Sequence, residues 1–436
     1  MLVLLLYSIV CDAITFEDIY MLTQKDVKEA MNKSITNVIL KNITIIGENA
    51  FKNCEYMKSI SIPSSVESIR ERAFYKCLKL ENVSFEKESN LTQIDNFAFG
   101  DCKELKSISI PSSVESIGAI AFGCCSKLES VSFGNKSNLT NIEYFAFGDC
   151  KELKSISIPS SVKSIEVAAF SNCSKLKSVS FGNKSNLTEI GDYAFKGCIE
   201  LKSISVPSSF KSIGERAFYK CTKLESVSFG SKSKLSTIKN SAFESCEELK
   251  SISIPSSVKS IGERAFSNCS KLESVSFGNK SKLTTIGNHC FSRCFYLRSI
   301  ELPLRLKEIS PGLFEECSKL KSITISSDVS KIGNYSFLNC YNLDSVRYLG
   351  TIEPNVSQNA FQGCAKLKYV YTTSKYPCKV FGPFEARKDN ESNKIPLIAL
   401  CGGIFIIVWI IILCTVLGRK KNSRNEKNQS FQAIES

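Results

Sequence analysis

The chain has 436 residues, of which 43% are hydrophobic and 23% are charged, and this composition excludes an intrinsically disordered protein. The formal net charge of +13 comes from lysines and arginines that are spread along the chain with acidic residues between them, apart from a cluster near the C-terminus. Spread charge of this kind is typical of a solvated surface, so no nucleic-acid partner is expected.

The N-terminal residues have the pattern of a secretion signal. The apolar run Leu2 to Val10 has the length of a signal-peptide core, and Ala13 stands where signal peptidase prefers a small residue. No lysine or arginine precedes the run. We expect a signal peptide over residues 1–13, followed by an N-terminal cap over residues 14–45 with one helix through Gln24–Met31.

A repeated motif occupies residues 46–369. Its units alternate between 23 and 25 residues over most of the array, and Cys102–Val114 has the same sequence as Cys150–Val162. Such repetition predicts a solenoid, because each coil alone would leave its apolar edge in water until a neighbour covers it. The fourteen units begin at Ile46, Ile69, Ile94, Ile117, Ile142, Ile165, Ile190, Ile213, Ile238, Ile261, Ile286, Ile309, Ile332 and Val356.

One unit shows what each position does. Leu105–Ile110 ends in alternating apolar residues and predicts a short strand, which Pro111 ends because proline cannot donate a ladder hydrogen bond. Ala98 and Phe99 are followed by Cys102 at the spacing of one helical turn, which predicts a short helical or 3₁₀ turn. The predicted fold is a solenoid of about fourteen 23–25-residue coils, built from short parallel β-strands and such turns.

The motif L-x-x-I-x-I-P-x-x-V-x-x-I-G-x-x-A-F-x-x-C resembles the leucine-rich repeat of the BspA-like surface antigens. Ile213–Cys221 and Ile261–Cys269 are clear instances, and the resemblance covers roughly residues 40–375. It implies a leucine-rich-repeat horseshoe and a surface protein for adhesion to host cells, matrix or other microbes. It brings no catalytic motif. The motif departs locally at Ser310–Phe314 and at Cys290, where alanine is usual.

Fourteen of the twenty cysteines occupy one position of the repeat. Neighbouring coils would place them about 4.8 Å apart, which allows disulfides in an oxidising compartment. Free, buried thiols that pack as small hydrophobes are favoured, because bridging needs suitable Cβ directions at every step. These cysteines are Cys54, Cys77, Cys102, Cys125, Cys150, Cys173, Cys198, Cys221, Cys246, Cys269, Cys294, Cys317, Cys340 and Cys364.

Catalytic and metal chemistry find little support in the sequence. His289, Cys290 and Cys294 suggest a metal site, but both cysteines fall on inward positions of the repeat and no fourth ligand is evident. Core packing is the favoured interpretation. The chain has one histidine and no metalloprotease, nucleophile-elbow or phosphate-loop motif. We therefore expect no enzyme, no catalytic residue, no metal and no cofactor.

The predicted strand face is the candidate binding surface. The residue after each core leucine points outward and is followed by serine in most units, and aromatic residues are scarce there before Tyr348, Tyr369 and Tyr371. One interpretation is a device for solubility and strand register; the other is a basic surface for acidic glycans or acidic protein patches. The candidate residues are Lys106, Glu129, Lys154, Lys177, Lys202, Glu225, Lys250, Glu273, Arg298 and Lys321.

Asn-x-Ser/Thr sequons agree with an extracellular chain, although a sequence rich in Asn and Ser contains several by chance. The candidate N-glycosylation sites are Asn32, Asn42, Asn82, Asn90, Asn135, Asn138, Asn183, Asn186, Asn279, Asn334, Asn355 and Asn390.

The C-terminal part predicts a membrane anchor. Residues 370–384 are expected to cap the solenoid, and 385–395 form a polar stalk. Residues 396–418 contain no charge and are long enough for a transmembrane helix, and a cluster of lysines and arginines follows. The prediction is a single-pass plasma-membrane protein with an extracellular N-terminus and a cytoplasmic tail over residues 419–436.

Three functions remain open on the sequence alone. The first is an adhesin that displays the solenoid to an extracellular protein or acidic glycan. The second is a surface receptor with an endocytic tail, since Asn428–Phe431 faintly resembles an internalisation signal. The third is a structural or decoy coat antigen, for which near-identical repeats are sufficient.

Overall fold

The computed structural model describes residues 7–10, 13–30, 35–182 and 184–389. Two ladders of mostly parallel strands run through these residues, each divided once into two hydrogen-bonded sheets, and each coil contributes one long and one short strand. The long strands are Ala13–Glu17, Asn37–Lys41, Ser59–Ile62, Asn82–Phe85, Ser107–Ile110, Ser130–Phe133, Ser155–Ile158, Ser178–Phe181, Ser203–Val206, Ser226–Phe229, Ser251–Ile254, Ser274–Phe277, Ser299–Glu301, Ser322–Ile325, Ser345–Tyr348 and Tyr369–Thr372.

The short strands have two residues each and form the second ladder. The aliphatic residues predicted to open the units are the last residues of these strands, from Ile46 to Val356, although the strands themselves were not predicted. The short strands are Met21–Leu22, Ile45–Ile46, Ser68–Ile69, Gln93–Ile94, Ser116–Ile117, Asn141–Ile142, Ser164–Ile165, Glu189–Ile190, Ser212–Ile213, Thr237–Ile238, Ser260–Ile261, Thr285–Ile286, Glu308–Ile309, Lys331–Ile332 and Asn355–Val356.

The core lies between the two ladders and the segment that closes each coil. In one unit Phe99, Leu105 and Ile117 are fully buried, while Ile110 is 1% exposed. The buried phenylalanines of successive coils, from Phe51 to Phe361, stack with ring centroids 4.8–5.9 Å apart. Each coil therefore buries its apolar edge against its two neighbours, as expected for a solenoid.

The predicted helical or 3₁₀ turn is wrong. We call the segment from the end of the short strand to the repeat cysteine the turn arc; in one coil it is Gly47–Cys54. The N–H of Ala50 bonds to the carbonyl three residues before it, but the N–H groups of Asn49 and Phe51 donate to the next coil at 3.0 and 2.7 Å. Asn49 also has a φ of 55°. A 3₁₀ helix would keep these bonds within its own segment. Left-handed residues and bonds between coils make the arc a third connection between neighbours.

The repeat cysteines are free thiols that face the core. From Cys77 onward each thiol donates to the carbonyl of the phenylalanine in the preceding coil, for example from Cys125 to Phe99 at 3.1 Å. Burial raises the pKa of the Cys269 thiol to about 12. The repeat thiols therefore act as hydrogen-bond donors within the core, and its raised pKa keeps the Cys269 thiol protonated at neutral pH.

The N-terminal segment extends the solenoid by one coil. Ala13–Glu17 and Met21–Leu22 pair in parallel with the strands of the next coil, so the structure has about fifteen coils where fourteen were predicted. The predicted helix is present as Gln24–Ala30 and replaces the turn arc of this first coil. Asp26 accepts a hydrogen bond from the N–H of Thr23 at 2.8 Å, which caps the helix. The motif was not recognised here because this coil lacks the Ala-Phe-x-x-Cys arc.

The two ends of the described chain carry antiparallel strands. Tyr7–Val10 pairs with Ala13–Glu17, within the segment for which a signal peptide stays a prediction. At the other end Val380–Phe381 pairs with Phe384–Lys388, which lies beside the last long strand. This hairpin extends beyond residue 384, the predicted end of the C-terminal cap, into the predicted stalk. Its antiparallel strands cover the last parallel edge.

The predicted transmembrane helix over 396–418, the tail over 419–436 and the sequons at Asn32, Asn183 and Asn390 lie outside the described residues. Within the described ranges, no helix has the length and apolar character needed to cross a membrane.

Candidate ligand-binding surface

The ten candidate residues of the strand face form one column, which we call the candidate column. All ten are exposed, and each directly precedes a long strand. The backbone links them from coil to coil: the N–H of Lys177 donates to the carbonyl of Lys154 at 2.9 Å, and the N–H of Lys202 to that of Lys177 at 3.4 Å. The structure therefore places these ten side chains on one face, and their role in binding stays a prediction.

A second charged column runs beside it and was missed from the sequence. Its members precede the core leucine, alternate between Glu and Lys, and form ion pairs of 2.6–2.7 Å between neighbouring coils. The fixed offset from the leucine would have revealed this paired column. Its members are Glu104, Lys127, Glu152, Lys175, Glu200, Lys223, Glu248 and Lys271.

The candidate column is paired only in part. Lys106 pairs with Glu81 at 2.8 Å and Lys154 with Glu129 at 2.5 Å. The hydrogen bond from Lys154 lowers the pKa of the Glu129 carboxyl. Over the described residues, Lys177 and Lys202 make no ion pair within 4 Å. They line a shallow depression of about 360 Å³ together with Glu200, Lys223, Glu225 and Glu248.

Three lysines therefore stack in consecutive coils: Lys154, Lys177 and Lys202. Like charges placed directly opposite each other on neighbouring strands destabilise the folded chain. Only Lys154 has a carboxylate partner in the part of the chain that the structure describes. An anionic ligand bound over Lys177 and Lys202 would remove this repulsion.

Two serine columns form the outward side of the long strands. The first was anticipated from the sequence, and strand register confirms it, with Ser107 opposite Ser130. The second, at the third strand position, was missed; in it Ser132 donates to Ser109 at 3.1 Å. From Ser107 to Ser276 both columns contain serine only, so this strip has no bulky side chain to keep a ligand away from the lysines.

The late tyrosines divide between the surface and the core. Tyr348 is 2% exposed and its hydroxyl donates to the carbonyl of Ile352 at 2.8 Å, so it does not belong to the strand face. Tyr369 and Tyr371 do face outward, with ring centroids 5.3 Å apart, and the Arg387 guanidinium lies 3.9 Å from the Tyr369 ring. These two form a small aromatic end to the strand face.

Most described sequons are accessible. The asparagine of one is half-buried, Asn334, and the others are exposed: Asn42, Asn82, Asn90, Asn135, Asn138, Asn186, Asn279 and Asn355. Asn82 opens a long strand, so a glycan there would cover the strand face near the N-terminal end. Asn135, Asn138 and Asn186 lie on the connecting side, where a glycan would leave the candidate column free.

The His289 cluster does not assemble a metal site. His289 Nδ1 lies 2.9 Å from a carboxylate oxygen of Glu315, while Cys290 and Cys294 are fully buried. The Cys294 thiol donates to the carbonyl of Phe266 at 3.3 Å. In the described ranges no group of three or more His, Cys, Asp and Glu side chains could hold a metal ion. The candidate surface therefore offers charged and hydroxyl groups for binding.

Comparison with known proteins agrees with this architecture. The model of the BspA type leucine-rich repeat region matches in six copies over residues 30–152, 140–273 and 236–368, which is more than half of the chain. The search of curated proteins returned no match. A leucine-rich repeat protein from Bacteroides ovatus is similar in structure, with 26% identity, a TM-score of 0.59 and coverage of 85% of this chain and 98% of that one.

Two further solved structures resemble the chain less closely. A leucine-rich cell surface protein from Faecalibacterium prausnitzii has 22% identity and a TM-score of 0.44, with 84% of this chain and 93% of that one covered. The pneumococcal vaccine antigen PcpA has 20% identity and a TM-score of 0.45, with coverage of 88% and 96%. The repeat model, which spans most of the solenoid, decides the assignment: the chain belongs to the BspA-type leucine-rich-repeat family.

Proposed function

We propose that the chain is a non-enzymatic adhesin of the cell surface that binds an acidic glycan or an acidic protein patch on host cells, matrix or other microbes. In this proposal the signal peptide directs secretion, the 396–418 helix anchors the chain in the plasma membrane, and glycans occupy some of the exposed sequons. The solenoid is the part that meets the ligand.

One observation carries the proposal: the lysine stack at Lys154, Lys177 and Lys202, two of which lack a carboxylate partner among the described residues. The neighbouring paired column shows that this repeat can neutralise its lysines coil by coil, as between Glu200 and Lys223 at 2.6 Å. Lys177 and Lys202 make no ion pair within 4 Å among the described residues. Besides the hydrogen bond from Lys223, their charges help to lower the pKa of the Glu200 carboxyl. Lysines without an ion pair, beside a flat hydroxyl strip, favour an anionic ligand with many hydroxyl or carboxylate acceptors.

The experiment displays the full chain on cells and measures binding to a panel of matrix proteins and acidic glycans at several salt concentrations. The double variant Lys177→Glu/Lys202→Glu should weaken binding at least about tenfold, equivalent to about 1.4 kcal/mol, and flatten its salt dependence. The matched control Lys232→Glu/Lys280→Glu makes the same charge change on exposed connecting loops and should bind as the parent does.

The same assay separates the adhesin from the other two functions. Deletion of residues 419–436 should leave adhesion intact, whereas a receptor that internalises its ligand would lose uptake. Equal binding by the Lys177→Glu/Lys202→Glu variant would contradict the strand-face proposal. Absence of binding to every member of the panel would favour a coat antigen.

A further inference from the structure

A second surface, on the turn arcs, departs from the repeat in four consecutive coils. The residue before the core alanine has a positive φ in nearly every arc, and in most coils it is polar, as at Asn49, Arg216 and Ser241. Between residues 94 and 173 the same position is apolar throughout. Its members there are Phe97 (φ 56°), Ile120 (58°), Phe145 (51°) and Ala168 (57°).

The left-handed backbone conformation is energetically unfavourable for these apolar residues. The left-handed region suits Gly, Asn and Asp, and a β-branched or bulky residue there is a conformational outlier. Ile120 and Phe145 are only half-buried, so full burial in the core does not compensate for the strain. Residues held in such a conformation cluster at binding sites, and the exposed parts of Ile120 and Phe145 are open to a ligand.

Glycines in the same arcs leave space for these side chains. Three residues further along, three of the four arcs have glycine, at Gly100, Gly123 and Gly148, where other coils have Lys196 or Tyr219. A Cβ atom on Gly148 would lie 2.4 Å from the Phe145 ring, and one on Gly123 would lie 2.5 Å from Cγ2 of Ile120. The side chains of Ile120 and Phe145 therefore lie across the glycines of their own arcs, whereas a Cβ atom on Gly100 would lie 3.2 Å from the Tyr75 ring.

Neighbouring residues widen this apolar surface. Tyr144 is 49% exposed and Val167 is 40% exposed, and the Tyr144 ring lies 6.0 Å from that of Phe145. We call Phe97, Ile120, Tyr144, Phe145 and Val167 the arc patch. It lies on the turn arcs and shares no residue with the candidate column.

The rim of the arc patch is acidic apart from Arg72 of the preceding coil, whose guanidinium lies over the Phe97 ring, 4.9 Å from its centroid. The arcs 94–102, 117–125, 142–150 and 165–173 contain no lysine or arginine, in a chain whose net charge is +13. Asp95 is paired with Arg70 at 3.8 Å and Asp101 with Lys103 at 3.6 Å.

Glu143 and Glu166 are different, because neither makes an ion pair with any residue that the structure describes. They occupy the position that is glycine in seven of the fourteen units. The N–H of Glu166 donates to the carbonyl of Ile142, directly beside Glu143. Burial and the neighbouring Glu166 raise the pKa of the Glu143 carboxyl. Two stacked carboxylates repel each other as the stacked lysines do.

We propose that the arc patch is a second binding site, which takes a protein segment with apolar side chains flanked by lysine or arginine. The apolar side chains would cover Phe97, Ile120 and Phe145, and the basic flank would sit over Glu143 and Glu166. Such a ligand would cover the strained apolar residues and would also neutralise the two stacked carboxylates, Glu143 and Glu166. An acidic segment would meet repulsion there.

The test uses the full chain and two fluorescent peptide libraries of equal length, with a randomised apolar centre and either lysine or glutamate flanks. Members of the lysine-flanked library should show saturable binding, and their glutamate-flanked counterparts should not. The variant Phe97→Asn/Phe145→Asn should bind at least about tenfold more weakly. Its unfolding midpoint should stay unchanged or rise, because asparagine tolerates the left-handed conformation.

Three controls make the outcome specific. Tyr335→Asn changes the same arc position outside the patch, at a φ of 58°, and should leave peptide binding intact. Glu143→Gln/Glu166→Gln should lose the preference for lysine flanks. Lys177→Glu/Lys202→Glu should leave peptide binding intact, so that failure of the strand-face proposal and of this one can be told apart.

Two results would overturn the proposal. One is peptide binding that survives Phe97→Asn/Phe145→Asn, which would place the peptide elsewhere. The other is concentration-dependent dimerisation of the full chain that this variant abolishes, which would assign the arc patch to a second copy of the chain.

Discussion

The strand face and the arc patch lie on the same coils and carry opposite chemistry. On the strand face Lys154, Lys177 and Lys202 stack beside serine, on regular strands. On the arcs Glu143 and Glu166 stack beside bulky apolar residues, on left-handed backbone. The strand face is hydrophilic and cationic, whereas the arc patch is apolar and anionic.

This contrast shows how structural positions can be separated from functional ones in a repeat protein. Positions that stacking requires, such as Phe170 and Leu176, hardly vary from coil to coil and are fully buried. Positions that vary can be compared with the same position in neighbouring coils, which act as internal controls. A stack of like charges, or a bulky residue where asparagine would cost less, stands out against that background.

The largest effect should come from a substitution in the column of buried phenylalanines, which supports both surfaces. Phe170 is fully buried and stacks on Phe147 at 5.4 Å and Phe195 at 5.3 Å. Phe170→Ala should lower the free energy of unfolding by about 3–5 kcal/mol, measured by urea denaturation. Both binding activities should weaken together, because this column supports both surfaces. Loss of one activity alone would contradict that shared support. As a control, Phe133→Ala removes a partly buried ring and should lower the free energy of unfolding by less than Phe170→Ala does.

The contributions of Glu129, on the strand face, and Glu143, beside the arc patch, to the free energy of unfolding should change with pH in opposite directions. The Glu129 pKa lies below its usual 4.5 because Lys154 bonds to the carboxylate, so Glu129 stabilises the fold above pH 4.5 and loses this effect as pH falls through the lowered pKa. The Glu143 pKa is raised, so its ionised form costs stability above that pKa, and the cost disappears as pH falls below 4.5.

The corresponding variants make this measurable. At pH 7 Glu129→Gln should lower the unfolding midpoint. Glu143→Gln should raise stability by on the order of a few tenths of a kcal/mol, since solvent still screens this half-buried group. Both differences should shrink on acidification to about pH 3. Shifts of the same sign in the two variants would show that the surfaces do not differ in this way.

The smallest effect should come from the serine strip. Ser132→Ala removes the 3.1 Å hydrogen bond to Ser109 on the exposed side of the sheet. The free energy of unfolding should change by less than about 0.5 kcal/mol, because both hydroxyls remain accessible to water. If ligand binding falls while stability holds, the hydroxyl strip contacts the ligand; if neither changes, the strip serves register and solubility.

Much of the solenoid could be predicted from sequence spacing. The strand at Ser107–Ile110, its end before Pro111, and the inward Leu105 follow from alternation and from the chemistry of proline. The form of the turn arc did not follow, because the spacing from Ala98 to Cys102 fits a helical turn as well as a chain of left-handed turns. The hydrogen bonds that distinguish them join different coils.

The surfaces were predicted less completely. The candidate column could be found because a fixed offset from leucine defines an outward position, yet its ion pairs depend on which neighbour each side chain reaches. The arc patch was missed because Phe97 and Ile120 look like ordinary apolar residues in a sequence. Only their positive φ and partial exposure distinguish them from the core.

The buried thiols can serve as probes for the local opening of individual coils. Nearly every coil holds one cysteine at the same depth, and burial raises the pKa of these thiols, from Cys125 to Cys317, so that the folded coil presents no reactive thiolate. A thiol-specific reagent can modify a given cysteine only when its own coil opens. The rate of modification along the chain would therefore map opening coil by coil, and show whether the ends loosen before the middle.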